Sequence, residues 1–433
     1  MRLRKLIAGC LTLSLMSVAL VGCGSKNNTS DDTLSNETTE KTETAEAEKV
    51  SLTVWGPQED QAAIGDYKDG ILKAMCDKFN EAHPEWDITF EYGVCSEGDA
   101  KDVVTKDVAA AADVYMFAND QIPILEQSGA LAELGGKTVE NIEANNEESI
   151  INSVKYKDGY YGVPFTSNTW FMYYDKSKFD ENEVKSLDTM MAKDLGDGVT
   201  NFAFPLDNSW YISSFYYAAG GTLFGDGTDA SKGCTFDDDN CKAMTSYLVD
   251  LAANPKFSCE KEGSSIGKFK EGTLGAYCSG SWDADPIKKA LGDNFACTNI
   301  PTVTVNGKEG QMKSFVGSKA IGVNPNCKNP QVAVALADYL GGQECQQIRF
   351  DTRQIIPTNT TVAQSAAVLS NEVAQAQTAE ISNASMVQPL LQEMNSYWTP
   401  AETMGKEIVQ GDVTKENAAE KTELMTKGIL QSN

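Results

Sequence analysis

Five of the six tryptophans, Trp55, Trp170, Trp210, Trp282 and Trp398, fall at or just beyond the ends of strand-like stretches or at joins between segments. Short polar residues sit beside them. Gln58, Glu59 and Asp60 follow the first strand-like stretch, and Asn119 and Asp120 follow the third. Ser167 and Asn168 precede Trp170, Asp207 and Asn208 precede Trp210 and Tyr211, and Asp283 follows Trp282. An indole face covers the apolar C–H face of a ring, while amides and acids satisfy a belt of hydroxyls. A carboxylate accepts two hydroxyl hydrogen bonds, and its charge strengthens both. The combination suits a neutral sugar. Core packing would also account for any single tryptophan, and a loop or helix-cap role for any single acid. Trp55, on the strand itself, reads as core, and Trp170 as structural. Glu59 and Asp120 lead among the acids, because strand carboxyl ends line the crevice in open α/β sheets.

The same inventory excludes other chemistry. His83 is the only histidine, in FNEAHPEWD, and reads as a helix-end residue. Ser-His and Cys-His catalysis and histidine-rich metal sites are thereby removed. Beyond Cys23 there are nine cysteines in the body, with no CxxC pair and no zinc-ligand spacing. Cys234 and Cys241 are spaced either to close a small loop or to remain thiols. No GxxxxGK[ST] loop is present to cradle a nucleotide. Neither a cofactor nor a metal is expected. Paired carboxylates leave a glycoside-acting enzyme open, but such a pair must lie about 5–9.5 Å apart, and no spacing here fixes that. A binder of another oligosaccharide, a peptide or a polyamine is a third reading. The formal charge of −26 repels nucleic acid and anionic lipid surfaces.

Alternation supplies the elements that position these residues. Ser51–Trp55, Ile88–Tyr92 and Asp113–Phe117 read as strands. Ile71, Leu72, Met75 and Phe79 share one helical face, and a helix is expected from about Ala100 through AKDVVTKDVAAA. Beyond Asp175 a second pattern begins. Strands are expected at Asn201–Phe204, Thr273–Cys278, Asn299–Thr304 and Lys319–Val323. Helices are expected at Trp210–Ala219 and around Cys241–Ala252, and through the tail at Pro330–Leu340, Cys345–Phe350, Asn371–Glu380 and Lys415–Leu430. The segment carrying Trp398 is expected to end at Thr399-Pro400. Strands alternating with helices predict α/β lobes with largely parallel sheets.

The N-terminus reads as a processing signal, residues 1–22. Arg2, Arg4 and Lys5 precede an apolar run from Leu6 to Val21 that is too short to be a convincing membrane span. The run ends in Leu20-Val21-Gly22-Cys23, which resembles a bacterial lipobox; that resemblance implies a lipidated Cys23. Residues 23–49 have one leucine and no aromatic residue, so they read as a disordered acidic and Thr-rich tether. Such a tether would reach roughly 25–30 Å. Without the three basic residues of the signal, the charge becomes −26 − 3 = −29.

Several fragments in order carry a wider resemblance. They are Trp55-Gly56-Pro57, Ala112-Asp113-Val114-Tyr115-Met116-Phe117 and Gln127-Ser128-Gly129-Ala130-Leu131. Gly162-Val163-Pro164-Phe165 with Tyr173-Tyr174-Asp175-Lys176 follows, then Phe269, Gly272, Ala276, Gly280 and Trp282, then Phe315-Val316-Gly317 and Met394 to Trp398. Together these resemble the extracellular solute-binding proteins of ABC importers, in the group typified by maltose-binding protein. The resemblance implies a two-lobed periplasmic-binding-protein-like fold, with about three crossings and a hinge that closes on ligand. The N-terminal lobe would comprise 50–163 and 317–365, and the C-terminal lobe 166–314 and 368–433.

Trp398 takes the family's stacking position. Phe117 stands where the family carries a tryptophan, and Ser167, Asn168 or Thr169 replaces a carboxylate. WGPQEDQ, MFANDQ and TSNTWFMYY look most like maltodextrin binders of gut Gram-positive anaerobes. The implied protein is a monomeric binder, not an enzyme. It would be lipid-anchored through Cys23 on the outer face of a Gram-positive-type cell membrane. It would pass malto-oligosaccharide to ABC permease subunits. The candidate ligand set is Gln58, Glu59, Asp60, Phe117, Asn119, Asp120, Asn168, Trp170, Asp207, Asn208, Trp210, Tyr211, Trp282 and Trp398.

Overall fold

A computed structural model describes residues 47–260 and 264–431. The signal, Cys23 and the tether to residue 46 lie outside the described residues. In chain order the strands used below are β1 (Glu48–Gly56), β2 (Trp86–Val94), β3 (Val114–Ala118), β4 (Val163–Asn168), β5 (Trp170–Asp175), β6 (Thr200–Phe204) and β7 (Phe257–Cys259). They continue with β8 (Leu274–Gly280), β9 (Phe295–Thr298), β10 (Thr302–Val305), β11 (Lys308–Gln311), β12 (Ser314–Val323) and β13 (Ser385–Val387). The helices used are α1 (Gln58–Gln61), α2 (Ile71–Ala82), α3 (Ser209–Ala218), α4 (Asp239–Ala252), α5 (Pro330–Leu340), α6 (Gln343–Arg353), α7 (Glu372–Asn383), α8 (Asn395–Gln410) and α9 (Ala418–Leu430).

Two sheets organise the chain into the expected pair of α/β lobes. The first runs β13-β12-β3-β1-β2, with β4 also on β12, and the second β9-β5-β8-β6-β7. β1 pairs in parallel with both β2 and β3, while β12 runs antiparallel to β3 and β4. β1 starts at Glu48, inside the span read as tether, because Glu48 already pairs with Trp86 of β2. In the second sheet β6, β7 and β8 are parallel and β5 is antiparallel to β8 and β9.

β5 shows why a continuous apolar run is stable there. Side chains alternate across a strand. Trp170, Met172 and Tyr174 enter the core on one face of the sheet, and Phe171 and Tyr173 the core on the other. Both faces are helix-covered, so neither needs to be polar. The first sheet has its own core, in which Leu52, Val54, Val114 and Ile321 meet Ile71, Leu72, Met75 and Phe79 of α2.

β4 ends at Asn168 and β5 begins at Trp170, so Thr169 is the point where the chain passes from one sheet to the other. Thr169 Oγ1 lies 2.9 Å from Ser314 Oγ at the start of β12. Ser314 in turn donates to Glu380 Oε1 of α7 at 2.6 Å, and the Ile300 amide donates to Glu380 Oε2 at 2.8 Å. A buried carboxyl therefore holds a crossing together. Burial pushes it up to about 8, against the pull of the Ser314 and Ile300 hydrogen bonds.

Three expectations change. The helix from Ala100 spans only Ala100–Val104. Its apolar stripe is one turn long, with only Ala100 and Val104 buried, and Thr105 Oγ1 bonds back to the Lys101 carbonyl at 2.7 Å. The strand expected at Asn299–Thr304 begins only at Thr302, as β10, which pairs with β11 in a hairpin; residues 299–301 separate it from β9. The Trp398 segment does not stop at Pro400: α8 runs through it to Gln410. Pro400 is the sixth residue, so its ring disturbs little more than the first turn. The buried stripe Tyr397, Ala401, Met404 and Ile408 carries the helix onward. Cys234 and Cys241 are two separate buried thiols, and the nine described cysteines are all unpaired.

Candidate functional site

A cavity of about 510 Å³ opens between the two sheets, a size typical of small-ligand sites. Its first-sheet side includes Glu59 and Asp60 of α1, Glu97 and Lys101 after β2, and Asp120 after β3. Its second-sheet side includes Trp210 of α3, Trp282 after β8 and Trp398 of α8. Asn168 and Lys319 sit on the crossing strands β4 and β12. One side is charged and the other aromatic.

Local folding fixes each indole. Asn208 caps α3, its side chain accepting from the Trp210 amide at 2.9 Å. Trp210 then stacks on Trp282, with ring centroids 6.1 Å apart and planes 27° from parallel. Tyr397, the residue before Trp398, donates to the Ser209 carbonyl at 2.6 Å. That bond ties the start of α8 to the start of α3 and brings Trp398 to the same wall. Gly280 is required by close approach, since a Cβ there would lie 2.0 Å from the Trp282 ring.

The acids divide by partner. Asp60 is buried between two arginines of α6: Arg349 Nε lies 3.4 Å from Oδ2, and Arg353 Nη1 donates to Oδ1. Arg349 also lies over the Phe165 ring at 4.5 Å and donates to the Leu340 carbonyl at 2.7 Å. Asp60 is therefore committed to the fold. Glu97 meets Lys319 Nζ at 3.4 Å, and that ammonium stands 5.3 Å over the Trp282 ring. Asp120 is half-buried, and burial pushes its carboxyl up to about 6, opposed by the Lys101 charge, by its own backbone amide and by the nearby Gln388 amide. Glu59 is exposed at the cavity edge.

Of the expected set, Glu59, Asp60, Asp120, Asn168, Trp210, Trp282 and Trp398 line this cavity. The others lie elsewhere. Gln58 is on the outer side of α1. Phe117 and Trp170 are fully buried in the two cores, and Tyr211 packs on Trp170 with centroids 4.7 Å apart. Asn119 is spent on backbone, donating to the Ser153 carbonyl at 2.9 Å and accepting from the Ser318 amide at 2.8 Å. Gly317 allows that approach, as a Cβ there would come within 2.2 Å of Asn119 Oδ1. Asn208 is the cap of α3, and Asp207 backs onto Gly405 of α8. Asp283 accepts from Ser279 at 2.7 Å. His83 ends α2 and stacks on Trp86 with centroids 4.9 Å apart.

Sequence reasoning passed over Glu97, Lys101, Lys319, Arg349, Arg353 and Gln388, all on the cavity wall. Arg349 and Arg353 did carry a signal: four residues apart on a helix, they share one face. Gln388 carried none, because its place follows from β13 pairing with β12, Ser385 opposite Ser314.

Comparison with known proteins agrees with this architecture. Residues 74–377 match the family model described as bacterial extracellular solute-binding protein. The chain is 25% identical, over 100% of its length and 99% of the relative, to a galactooligosaccharide-binding protein of Bacillus subtilis (strain 168). It is 26% identical to a maltooligosaccharide ABC transporter solute-binding lipoprotein of Streptococcus pneumoniae (strain ATCC BAA-255 / R6), over 97% of this chain and 96% of that one. A solved structure described as being with acarbose is 46% identical, with a TM-score of 0.83, covering 88% of this chain and 98% of that chain.

Proposed function

The chain belongs to the bacterial extracellular solute-binding proteins, and from that membership we propose that it captures a malto-oligosaccharide between its lobes for an ABC permease. One observation carries the reading: Trp210, Trp282 and Trp398 converge on one wall of a cavity whose other side holds Glu59 and Asp120. Indole faces take up sugar C–H faces, and the acids accept hydroxyl hydrogen bonds. The acarbose-bound structure and the maltooligosaccharide lipoprotein support the choice of ligand. The Bacillus relative favours a second reading, a galacto-oligosaccharide, in the same cleft. Binding without bond cleavage is part of the proposal, as are a monomeric state and attachment to the extracellular face of the cell membrane of a Gram-positive-type cell through an acylated Cys23. The Leu20-Val21-Gly22-Cys23 motif and the lipoprotein relative support the anchor.

Calorimetric titration of the purified chain with maltotetraose and with a galacto-oligosaccharide tests this. Maltotetraose should bind and be recovered intact. Trp398→Ala should cost about 2 kcal/mol, roughly thirtyfold in Kd, with little change in Tm. Tight binding of only the galacto-oligosaccharide would replace the ligand assignment, and shorter products would replace binding with hydrolysis.

A further inference from the structure

Gln388 directly follows β13. Its backbone amide donates to the Val316 carbonyl of β12 at 2.9 Å, and the residue is 3% exposed. It lines the cavity. Trp210 Nε1 donates to its Oε1 at 2.9 Å. An indole N–H can only donate, so this contact fixes which end of the amide faces Trp210. The Nε2 end is thereby turned away from the indole. Nε2 is buried with no acceptor within hydrogen-bond distance, an arrangement native proteins seldom leave uncompensated. Trp282 Nε1, on the same wall, is a second buried donor in this condition. The Asp120 carboxylate is close enough for the Gln388 amide to favour its charged form.

We propose that Gln388 and Asp120 together read a single hydroxyl of the bound ligand, which accepts from Gln388 Nε2 and donates to the Asp120 carboxylate. The proposal rests on the oligosaccharide reading above and names the group that reading leaves open. A hydroxyl is the small neutral group that carries one donor and two acceptor lone pairs. An ether or ring oxygen would satisfy the amide but leave Asp120 without a donor. An ammonium would satisfy Asp120 but point its own hydrogens at the amide N–H. Trp210 acts as the orienting partner, so stacking and hydroxyl recognition are linked through one bond. Gln388 is also the cavity residue contributed by the segment between α7 and α8, which places the reading group next to a crossing strand.

Two variants of the full chain, titrated with maltotetraose, test this. Gln388→Met keeps the side-chain length and deletes the amide; its Kd should rise about ten- to a hundredfold. Gln388→Glu keeps an acceptor for Trp210 but replaces the donor with a second acid beside Asp120. At pH 8 it should bind at least as weakly as Gln388→Met, and it should recover by pH 6, where one proton shared between the two acids restores a donor. A residue that merely props Trp210 would leave Gln388→Glu at the parent's affinity at every pH. That result, or a Gln388→Met variant within twofold of the parent, overturns the proposal. If Gln388→Met does not fold, the pH profile of Gln388→Glu decides alone. A parent chain that binds no oligosaccharide would overturn the ligand reading, and this inference with it.

Discussion

Glu380 and Asp120 are both acids raised by burial, yet they stand in different places. Asp120 borders the open cavity, while Glu380 is sealed at a crossing, with Ser314 and the Ile300 amide as its partners. For Glu380 the sign of the pH effect follows from linkage. Its carboxyl is held at about 8 in the fold, against 4.5 ordinarily. The folded chain therefore binds a proton that the unfolded chain releases between those values. The stabilisation is complete below about pH 4.5, declines as pH rises towards about 8, and is gone above it. Glu380→Gln should remove this decline. Its Tm should match the parent's near pH 5 and exceed it by about 2–5 °C near pH 8, in a scan followed by circular dichroism. The sequence offered no hint of this group, since Glu380 reads as one more acid on an amphipathic helix. Trp210, Trp282 and Trp398 were legible because indoles are rare and their spacing follows element ends. Phe117 was misplaced because a strand end faces a core as readily as a crevice, and Trp170, a ligand candidate also read as structural, is core for the same reason.

At the level of elements, α6 shows how a helix far along the chain anchors an early turn. Arg349 and Arg353 project from one face and enclose Asp60 of α1. Removing one partner of a buried pair leaves an uncompensated charge, and the cost is typically 3–5 kcal/mol. Because Arg353 would remain, Arg349→Met should cost about 3 kcal/mol, read from the urea midpoint; a loss below about 1 kcal/mol would show the pair to be peripheral. The strand–helix alternation was readable because apolar period reveals element type. Element ends were not. α8 continues through Pro400 because its buried stripe outweighs one lost hydrogen bond, and Gly428 of α9 makes room for the Pro400 ring, its Cβ position lying 3.0 Å away. The short helix at Ala100 fails for the opposite reason, since its apolar face ends after one turn.

For the whole molecule, the two lobes follow from alternating elements and the family resemblance, and the matched family confirms that resemblance. The described cysteines contribute thiols rather than crosslinks; seven are buried and Cys259 and Cys297 are half-buried. The urea midpoint should therefore be the same with and without dithiothreitol, and a drop on reduction would reveal a bridge. The order of the first sheet has its own consequence. β3 needs β12 beside it, and Asn119 meets Ser318, a partner 199 residues later in the chain. A growing polypeptide that has emerged only as far as β11 cannot close its opening sheet. Contacts this distant in sequence slow folding. For a member of an extracellular family such a delay is an advantage, because the opening sheet stays unlatched until β12 has been made, with Val323 standing about three quarters of the way along the 433 residues.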